Sequence, residues 1–187
     1  MISRLFSFVG GDAGPWRVTD VRTCIGEDLA AIRRINVVDG LADAARSAVV
    51  WSLSGITSND RYVERPEKAA LVSKQPGLGR SEATCAALIP IRKNAAWWAL
   101  TQEERRRIFE AKSQHIAIGL QYLPAIARRL HHCRDLAMPQ PFDFLTWFEY
   151  APTDADAFER LLSALRASEE WGYVDREVDI RLVREAP

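Results

Sequence analysis

The chain has few cysteines and few histidines, and this scarcity limits the kinds of site it can form. The three cysteines are far apart and form no Cys-x-x-Cys motif, which argues against structural zinc and a disulfide framework. We expect them to be small buried side chains or a loose thiol. The three histidines, His115, His131 and His132, form no HExxH motif and no pair at helical spacing, so a multi-histidine metal site is difficult to build. A haem needs only one axial side chain and remains compatible with the sequence.

The sequence also lacks net charge and long apolar runs. Its 25 Lys and Arg residues balance 25 Asp and Glu residues, so no overall field attracts nucleic acid or an anionic membrane surface. No run of about 18 apolar residues is present, so no segment is predicted to span a bilayer. Residues 1–11 have one arginine and a very short apolar patch, too little for a signal peptide. We therefore expect a cytoplasmic protein with neither nucleic-acid nor membrane partners.

The composition is that of an ordinary globular protein, with 48% hydrophobic and 27% charged residues. A length of 187 residues predicts one domain, or two small units that share a core. Because no linker, low-complexity segment or sequence repeat is present, we expect a single domain over residues 1–187. Its N-terminal half would cover about residues 1–91, and its C-terminal half about residues 92–187.

Before residue 100 the sequence alternates between β-forming runs and turns. Glu27 to Ile35 is an exception, since its pattern predicts a short helix. A second helix is predicted near Pro66 to Gln75, because proline is tolerated in a first helical turn. The runs predicted as strands are Ile2 to Val9 and Trp16 to Ile25, joined by a glycine-rich turn, and then Val49 to Ile56 and Thr84 to Ile91.

The longest predicted helix begins at residues 101–104, TQEE, which match the capping box Ser/Thr-x-x-Glu. Apolar residues then recur at intervals of three and four, and His115 lies on this apolar stripe. Pro124 interrupts the helix, because it has no N–H to donate and its ring clashes with the preceding turn. We therefore expect Ala125 to Cys133 to restart in a different direction.

The last third of the chain predicts two strands around one helix. Phe142 to Tyr150 is apolar or aromatic on both faces, as expected of a central strand covered on two sides. A helix begins near Pro152, and Val174 to Leu182 then alternates apolar and charged residues like a half-buried strand. From Val49 onward, strands and helices alternate as in split βαβ units of the ferredoxin-like kind.

Three acidic or basic side chains could form a site with His115. An axial histidine needs an acceptor for its other ring nitrogen, because that hydrogen bond fixes the tautomer. At about 100° per residue, Glu169 falls within the apolar stripe of the last helix and Glu170 nearer its edge, so the pattern alone leaves both open. With the chain broken at Pro124, Arg128 can approach a flat cofactor opposite His115 and serve as a fixed cation for an anionic substrate.

Five stretches of the chain match one known family in residue order and spacing. They are WSLSGITSNDRY (51–62), GLGRSEATCAALIPIRK (77–93), WWALTQEERRRIFEAKSQHIAIGLQYLPAIARRLHHCRD (97–135), FDFLTWFEYAP (142–152) and LRASEEWGYVDREVDIRL (165–182). The segment from Trp51 to Leu182 thereby closely resembles the chlorite dismutase family, in particular its short-chain, dimeric branch. The N-terminal part matches more loosely.

The resemblance implies a haem b held by His115, the histidine of KSQHIAIG. It places the arginine on the opposite side of the haem at Arg128, and the glutamate that bonds the axial histidine at Glu170, against the helical-wheel preference for Glu169. One departure is visible at Ser54, where relatives often have arginine. We expect this to affect a salt bridge and not the haem ligation. The other implied pocket residues are Asn59, Tyr62, Ile89, Lys93, Trp97 and Trp98.

The resemblance also implies a fold and a reaction. The fold is α+β, a ferredoxin-like dimeric α/β barrel of two ferredoxin-like halves, in which the N-terminal half is shortened and the C-terminal half binds haem. The reaction is the conversion of chlorite to chloride and dioxygen by a homodimeric, haem b-dependent chlorite dismutase. Arg128 would retain hypochlorite until the O–O bond forms, because it is always charged and donates in fork geometry.

Two alternatives to this reaction remain open. A related enzyme of the same superfamily decarboxylates coproporphyrin haem, but its branch usually has a longer chain and an uncharged residue at the position of Arg128. A haem-binding or sensing protein without turnover would need only the bare fold.

Overall fold

The architecture is an antiparallel barrel with helices against one part of its outer face. In the computed structural model, which describes residues 4–42 and 49–185, eight strands close into this barrel. The strands are β1 (Leu5–Gly11), β2 (Trp16–Ile25), β3 (Arg34–Asp39), β4 (Val49–Thr57), β5 (Cys85–Lys93), β6 (Ala127–His132), β7 (Phe144–Tyr150) and β8 (Val174–Arg184). Around the barrel they follow the order β1-β3-β2-β8-β5-β7-β6-β4.

The helices of the described ranges are short. They are α1 (Arg65–Lys74), α2 (Ala95–Ala99), α3 (Gln102–Arg106), α4 (His115–Gln121) and α5 (Ala155–Arg166). A π-helical turn covers Arg107–Lys112, and 3-10 turns cover Pro152–Asp154 and Glu169–Tyr173. Within the described ranges, no helix is long and apolar enough to cross a membrane.

The barrel contains the same strand order twice. The first four strands lie in the order β4-β1-β3-β2 and the last four in the order β8-β5-β7-β6. Between β5 and β6 the chain forms α2, α3 and α4, and between β7 and β8 it forms α5. Between β1 and β2, by contrast, only residues 12–15 intervene. The helical layer therefore covers mainly the C-terminal half of the sheet.

Two apolar clusters follow from the alternation of side chains along the strands. The barrel interior takes side chains from both halves, among them Phe8, Leu53 and Trp147. The second cluster joins the outer face of β5 and β7 to the apolar stripe of α5, as in the contact of Phe148 with Phe158. Each fully buried side chain of this kind contributes about 1.5–3 kcal/mol, so α5 is held on the sheet chiefly by apolar burial.

Most of the predicted strands are confirmed, and so is the helix predicted near Pro66 to Gln75. Trp16–Ile25 has the predicted bounds, and β4, β5 and β7 lie within two residues of theirs. Ile2 and Ser3 lie outside the described residues, and β1 continues to Gly11 instead of turning at Gly10.

The helix predicted for Glu27 to Ile35 is wrong. Residues 27–33 form no regular element, and β3 begins at Arg34. The guanidinium of Arg176 donates to the carbonyl oxygens of Glu27 and Asp28 at 3.0 and 2.7 Å. These bonds occupy carbonyls that a helix would need for its own ladder.

The single long helix predicted after the capping box is also wrong. The box itself is present, with Thr101 and Glu104 bonded to each other's backbone, but α3 passes into the π-helical turn and Gln114 then adopts a left-handed φ of 52°. Beyond Pro124 the new direction is that of strand β6. Nor is β8 half-buried: α5 covers its second face, where Arg166 bonds the buried carboxylates of Glu177 and Asp179.

Candidate active site

A deep pocket lies between the outer face of the C-terminal strands and helices α4 and α5. The space among its lining side chains is about 1110 Å³ when the solvent at its open mouth is included. Its walls are mostly apolar, with Ile91, Ile126, Phe144, Phe148, Leu161 and Leu165 among them. The sequence-predicted site residues that line it are Asn59, Tyr62, Ile89, Lys93, Trp97, His115, Arg128 and Glu170.

Trp98 does not belong to this lining. Its indole N–H donates to Asp143 at 3.2 Å, and its ring stacks on Phe144 with centroids 6.1 Å apart. The guanidinium groups of Arg105 and Arg134 lie over the same ring. Of the two adjacent tryptophans, Trp97 therefore faces the pocket, whereas Trp98 packs behind its wall.

One side of the pocket contains a chain of three bonded side chains. Nδ1 of His115 lies 2.7 Å from one carboxylate oxygen of Glu170, and Nζ of Lys93 donates to the other at 2.9 Å. Lys93 also donates to the backbone carbonyl of Glu170 at 3.1 Å. Because the carboxylate occupies Nδ1, the other ring nitrogen of His115 is left for a ligand.

The carboxylate of Glu170 is charged although it is buried. The side chains of Lys93 and Glu170 are only 1% and 5% exposed. Burial opposes ionisation, but the attraction and hydrogen bonds of His115 and Lys93 outweigh it and lower the pKa of Glu170 to about 2. The buried carboxylate is therefore a permanent anion beside the imidazole.

Local backbone geometry separates Glu170 from Glu169. After α5 ends, residues 169–173 form a 3-10 turn and not a further turn of α-helix. Glu169 points outward and bonds Lys112 at 2.8 Å, with both side chains about half exposed. The helical-wheel preference for Glu169 is thus wrong, because the wheel assumes an α-helix that the chain has already left.

On another wall of the pocket, strand β6 presents Arg128. Its backbone carbonyl accepts a bond of 2.8 Å from the side-chain amide of Gln75, which anchors the strand. Among the residues that the structure describes, its guanidinium has neither a hydrogen bond nor an ion pair. Burial lowers the pKa of Arg128, and the charge of Asp60 opposes this, but an arginine remains protonated at neutral pH. The pocket wall therefore carries an unpaired cation.

Two further polar atoms in the pocket lack partners. Within residues 4–42 and 49–185, the hydroxyl of Tyr62 and the indole N–H of Trp97 are buried without a hydrogen bond, although the two rings contact each other with centroids 6.0 Å apart. Tyr62 also has a left-handed φ of 62°, an uncommon conformation for a bulky residue. Such unpaired donors are costly in a closed protein and indicate a polar ligand group.

The side chain of Asn59 bonds the backbone of strand β6. Its side-chain carbonyl accepts the backbone N–H of Leu130 at 2.8 Å, which ties the loop after β4 to β6.

Within the described residues, no group of three or more His, Cys, Asp or Glu side chains could hold a metal ion.

Comparison with known proteins identifies the family. Residues 27–185 match the family described as chlorite dismutase. The chain belongs to the chlorite dismutase family.

Individual members of the chlorite dismutase family resemble the chain to different extents. The chlorite dismutase of Ideonella dechloratans is 35% identical over 136 residues, which are 68% of this chain and 42% of that relative. A dimeric chlorite dismutase from Nitrobacter winogradskyi is 59% identical, with a TM-score of 0.88 over 96% of this chain and 99% of that one. An imidazole complex of the chlorite dismutase from Candidatus Nitrospira defluvii shares 18% identity, with a TM-score of 0.67 over 100% of this chain and 93% of that one, and shows the fold alone.

Some pocket residues of this family member were missed from the sequence. Phe109 stacks on the ring of His115, with centroids 4.3 Å apart and planes at 22°. Trp171, adjacent to Glu170, lines the pocket and donates its indole N–H to Glu177 at 2.8 Å. An α-helical wheel gives no signal for Phe109, because it lies on the π-helical turn, where the period is not that of an α-helix.

Proposed function

We propose that this chlorite dismutase family member binds haem b and converts chlorite to chloride and dioxygen. The observation that carries the proposal is the pairing of His115 with the buried anion of Glu170 in a large apolar pocket that also contains the unpaired cation of Arg128. An imidazole bonded to a carboxylate is a strong metal donor. A lone guanidinium in an apolar pocket attracts a small anion.

The pocket residues fit a haem. Its apolar walls suit a porphyrin, and a single histidine suits an iron whose other ligands come from that ring. The unpartnered hydroxyl of Tyr62 and indole N–H of Trp97 would donate to propionate carboxylates, which supports the choice of a cofactor with both apolar and acidic parts. Asn59 lies in the same wall, with its amide nitrogen left to donate.

The bonded side chains would set the state of the axial ligand. Glu170 would hold the proton at Nδ1 of His115, so that the other ring nitrogen faces the iron and donates strongly to it. Lys93 would keep Glu170 ionised by donating to its second oxygen. The ligand would thereby retain one tautomer and one orientation.

Haem held by His115 would supply the redox chemistry by which one oxygen atom leaves chlorite and is returned in dioxygen. The overall reaction balances without any other reactant, since one chlorite ion contains all atoms of one chloride ion and one dioxygen molecule. Arg128 would bind the incoming anion and then hold hypochlorite, the anion formed on the way, inside the pocket. Without that contact the oxidant would diffuse out before the O–O bond forms.

The proposal extends to architecture and assembly. The repeated strand order, β4-β1-β3-β2 and β8-β5-β7-β6, supports two ferredoxin-like halves, and the short connection of residues 12–15 between β1 and β2 supports a shortened N-terminal half. These halves, about residues 1–91 and 92–187, would form one domain, and the C-terminal half would hold the haem. The likeness to a dimeric relative supports a homodimer.

Oxygen release after addition of chlorite to purified, haem-loaded protein tests this function. We expect oxygen and chloride in equimolar amounts. Haem binding without oxygen release would favour a haem-binding or sensing protein. Loss of carboxyl groups from coproporphyrin haem with peroxide would favour the decarboxylase alternative.

A further inference from the structure

The turn that precedes His115 makes contacts to which the proposed chemistry assigns no role. Glu110 lies on the π-helical turn, and its carboxylate accepts the backbone N–H groups of Ile116 at 2.7 Å and Ala117 at 3.3 Å. These residues are the second and third of α4, whose first N–H groups have no partner within the helix. Glu110 therefore caps the helix that begins at His115.

The residue in the ordinary capping position does not do this. Gln114 precedes α4 with a left-handed φ of 52° and makes no side-chain cap bond. Serine, threonine, aspartate or asparagine would be usual at that position. Since α4 has only seven residues, loss of the Glu110 contact would loosen the first turn of the helix, to which His115 belongs.

Ser113, which follows directly after the same turn, bonds the backbone of Glu170, the partner of His115. Its side chain is buried, and its hydroxyl oxygen accepts the backbone N–H of Glu170 at 2.8 Å. Four residues of sequence, 110–113, thus contact both elements that contribute to the bond between His115 and Glu170. Those two residues are 55 positions apart in the chain, and the bond of Lys112 to Glu169 joins the same two elements beside them.

We propose that Glu110 and Ser113 are positioning residues for the axial imidazole. Glu110 fixes the first turn of α4, which begins at His115, Ser113 fixes the backbone of Glu170, and the hydrogen bond between Nδ1 and the carboxylate is made before any ligand enters. The inference rests on the proposed function for the role of His115 as a metal ligand. A ring that is already oriented loses less freedom on binding, which increases affinity.

The expected effects distinguish positioning from simple support of the fold. Glu110→Ala should weaken haem binding by at least about tenfold, the lower end of the effect of removing groups that orient metal ligands, and raise the reduction potential, because a mobile imidazole is a poorer donor. Glu110→Gln keeps one acceptor and should recover part of both. The matched control is Glu103→Gln, an acid of the preceding helix whose side chain is 82% exposed.

Ser113 provides an independent pair of variants. Ser113→Ala removes the acceptor for the Glu170 N–H and should shift haem affinity and potential in the same direction as Glu110→Ala. Ser113→Thr keeps a hydroxyl and should stay close to the parent protein. This pair remains informative if Glu110→Ala does not fold.

A haem-free measurement separates this inference from the proposed function. In ¹⁵N-labelled apoprotein, the proton on Nδ1 of His115 should resonate far downfield because it bonds Glu170, and Glu110→Ala should lose that signal. The inference is overturned if Glu110→Ala and Ser113→Ala lower the free energy of unfolding yet leave the imidazole signal, haem affinity and potential at parent values. If the parent protein binds no haem, the proposed function fails, and the imidazole signal still tests the positioning.

Discussion

Two regions of the pocket differ in how their charges are paired. Around His115, each charge has a bonded neighbour, since Glu170 takes Nδ1 of the imidazole and both oxygens of its carboxylate are occupied. Arg128, in contrast, presents a guanidinium without a hydrogen bond or ion pair within the described residues. A fully bonded group suits a permanent ligand, whereas an unpaired cation suits a transient one.

The largest effect is expected from the bonded side chains around His115. His115→Ala should lose most of the haem and its Soret absorbance, because neither of the other two histidines can take its place. His131 lies inside the barrel against Phe6 and Phe8, and Nδ1 of His132 pairs with Asp135 at 2.8 Å. An unchanged Soret band in haem-titrated His115→Ala would show that the axial ligand is another residue.

Arg128 should show the next largest effect, on turnover and not on haem content. If Arg128 mainly retains hypochlorite, Arg128→Ala should still consume chlorite at first but bleach its haem sooner, so that total oxygen per enzyme falls more than the initial rate. If it mainly steers the anion, the initial rate should fall and Arg128→Lys should recover part of it. Oxygen traces at matched haem loading decide between these outcomes, and we expect retention.

Glu170 should affect the potential more than the haem content. Glu170→Gln weakens the acceptor at Nδ1 of His115, which makes the imidazole a poorer donor and should raise the reduction potential. Glu169→Gln is the matched control, because that side chain bonds Lys112 outside the pocket. A potential that shifts in the control and not in Glu170→Gln would contradict the arrangement seen here. Spectroelectrochemical titration of both variants provides the comparison.

Tyr62 should show a smaller effect with opposite signs in the two states. Its hydroxyl has no hydrogen-bond partner among the described residues, so Tyr62→Phe should leave the free energy of unfolding of the apoprotein unchanged or raise it by up to about 1 kcal/mol. The same variant should bind haem several-fold more weakly, because a donor to a propionate is lost. Urea unfolding and haem titration measure the two quantities. Marked destabilisation of the haem-free variant would argue that the hydroxyl has a protein partner.

The smallest effect on the site is expected from the charge cluster beneath α5. Asp179 is buried; burial opposes its charge, but hydrogen bonds and positive charge from Arg181 and Arg166 lower its pKa below the ordinary value. A lowered pKa in the folded state stabilises the protein above the unfolded pKa, and that stability is lost as the pH falls below about 4. Asp179→Asn should therefore flatten the acid limb of the unfolding free energy. Its haem affinity at neutral pH should equal that of the parent.

Much of the fold follows from patterns in the sequence. The runs at Trp16–Ile25 and Phe144–Tyr150 are strands because branched and aromatic side chains suit a pleated sheet, which is covered on both sides at Phe144–Tyr150. The segment 27–33 could not be predicted, because bonds from the distant Arg176 determine its path. Long-range contacts of this kind leave no local pattern.

The site was predictable to a similar degree. Family spacing places His115, Arg128 and Glu170 on the lining of one pocket, and periodicity alone finds only the apolar stripe of His115. The helical wheel favoured the wrong one of the two adjacent glutamates, because the local backbone is a 3-10 turn and not an α-helix. The capping bonds of Glu110 could not be predicted from the sequence for a related reason, since they depend on a π-helical turn and on the left-handed Gln114.

The contrast between the bonded charges around His115 and the unpaired guanidinium of Arg128 is tested most directly by measuring how well a hypochlorite scavenger protects the haem. Haem-loaded parent protein and Arg128→Ala are each given chlorite with and without methionine, and haem bleaching and total oxygen are followed together. If the unpaired guanidinium retains the oxidant, methionine should protect the haem of Arg128→Ala strongly and change little in the parent. Equal protection of both proteins would show that Arg128 does not hold hypochlorite in the pocket.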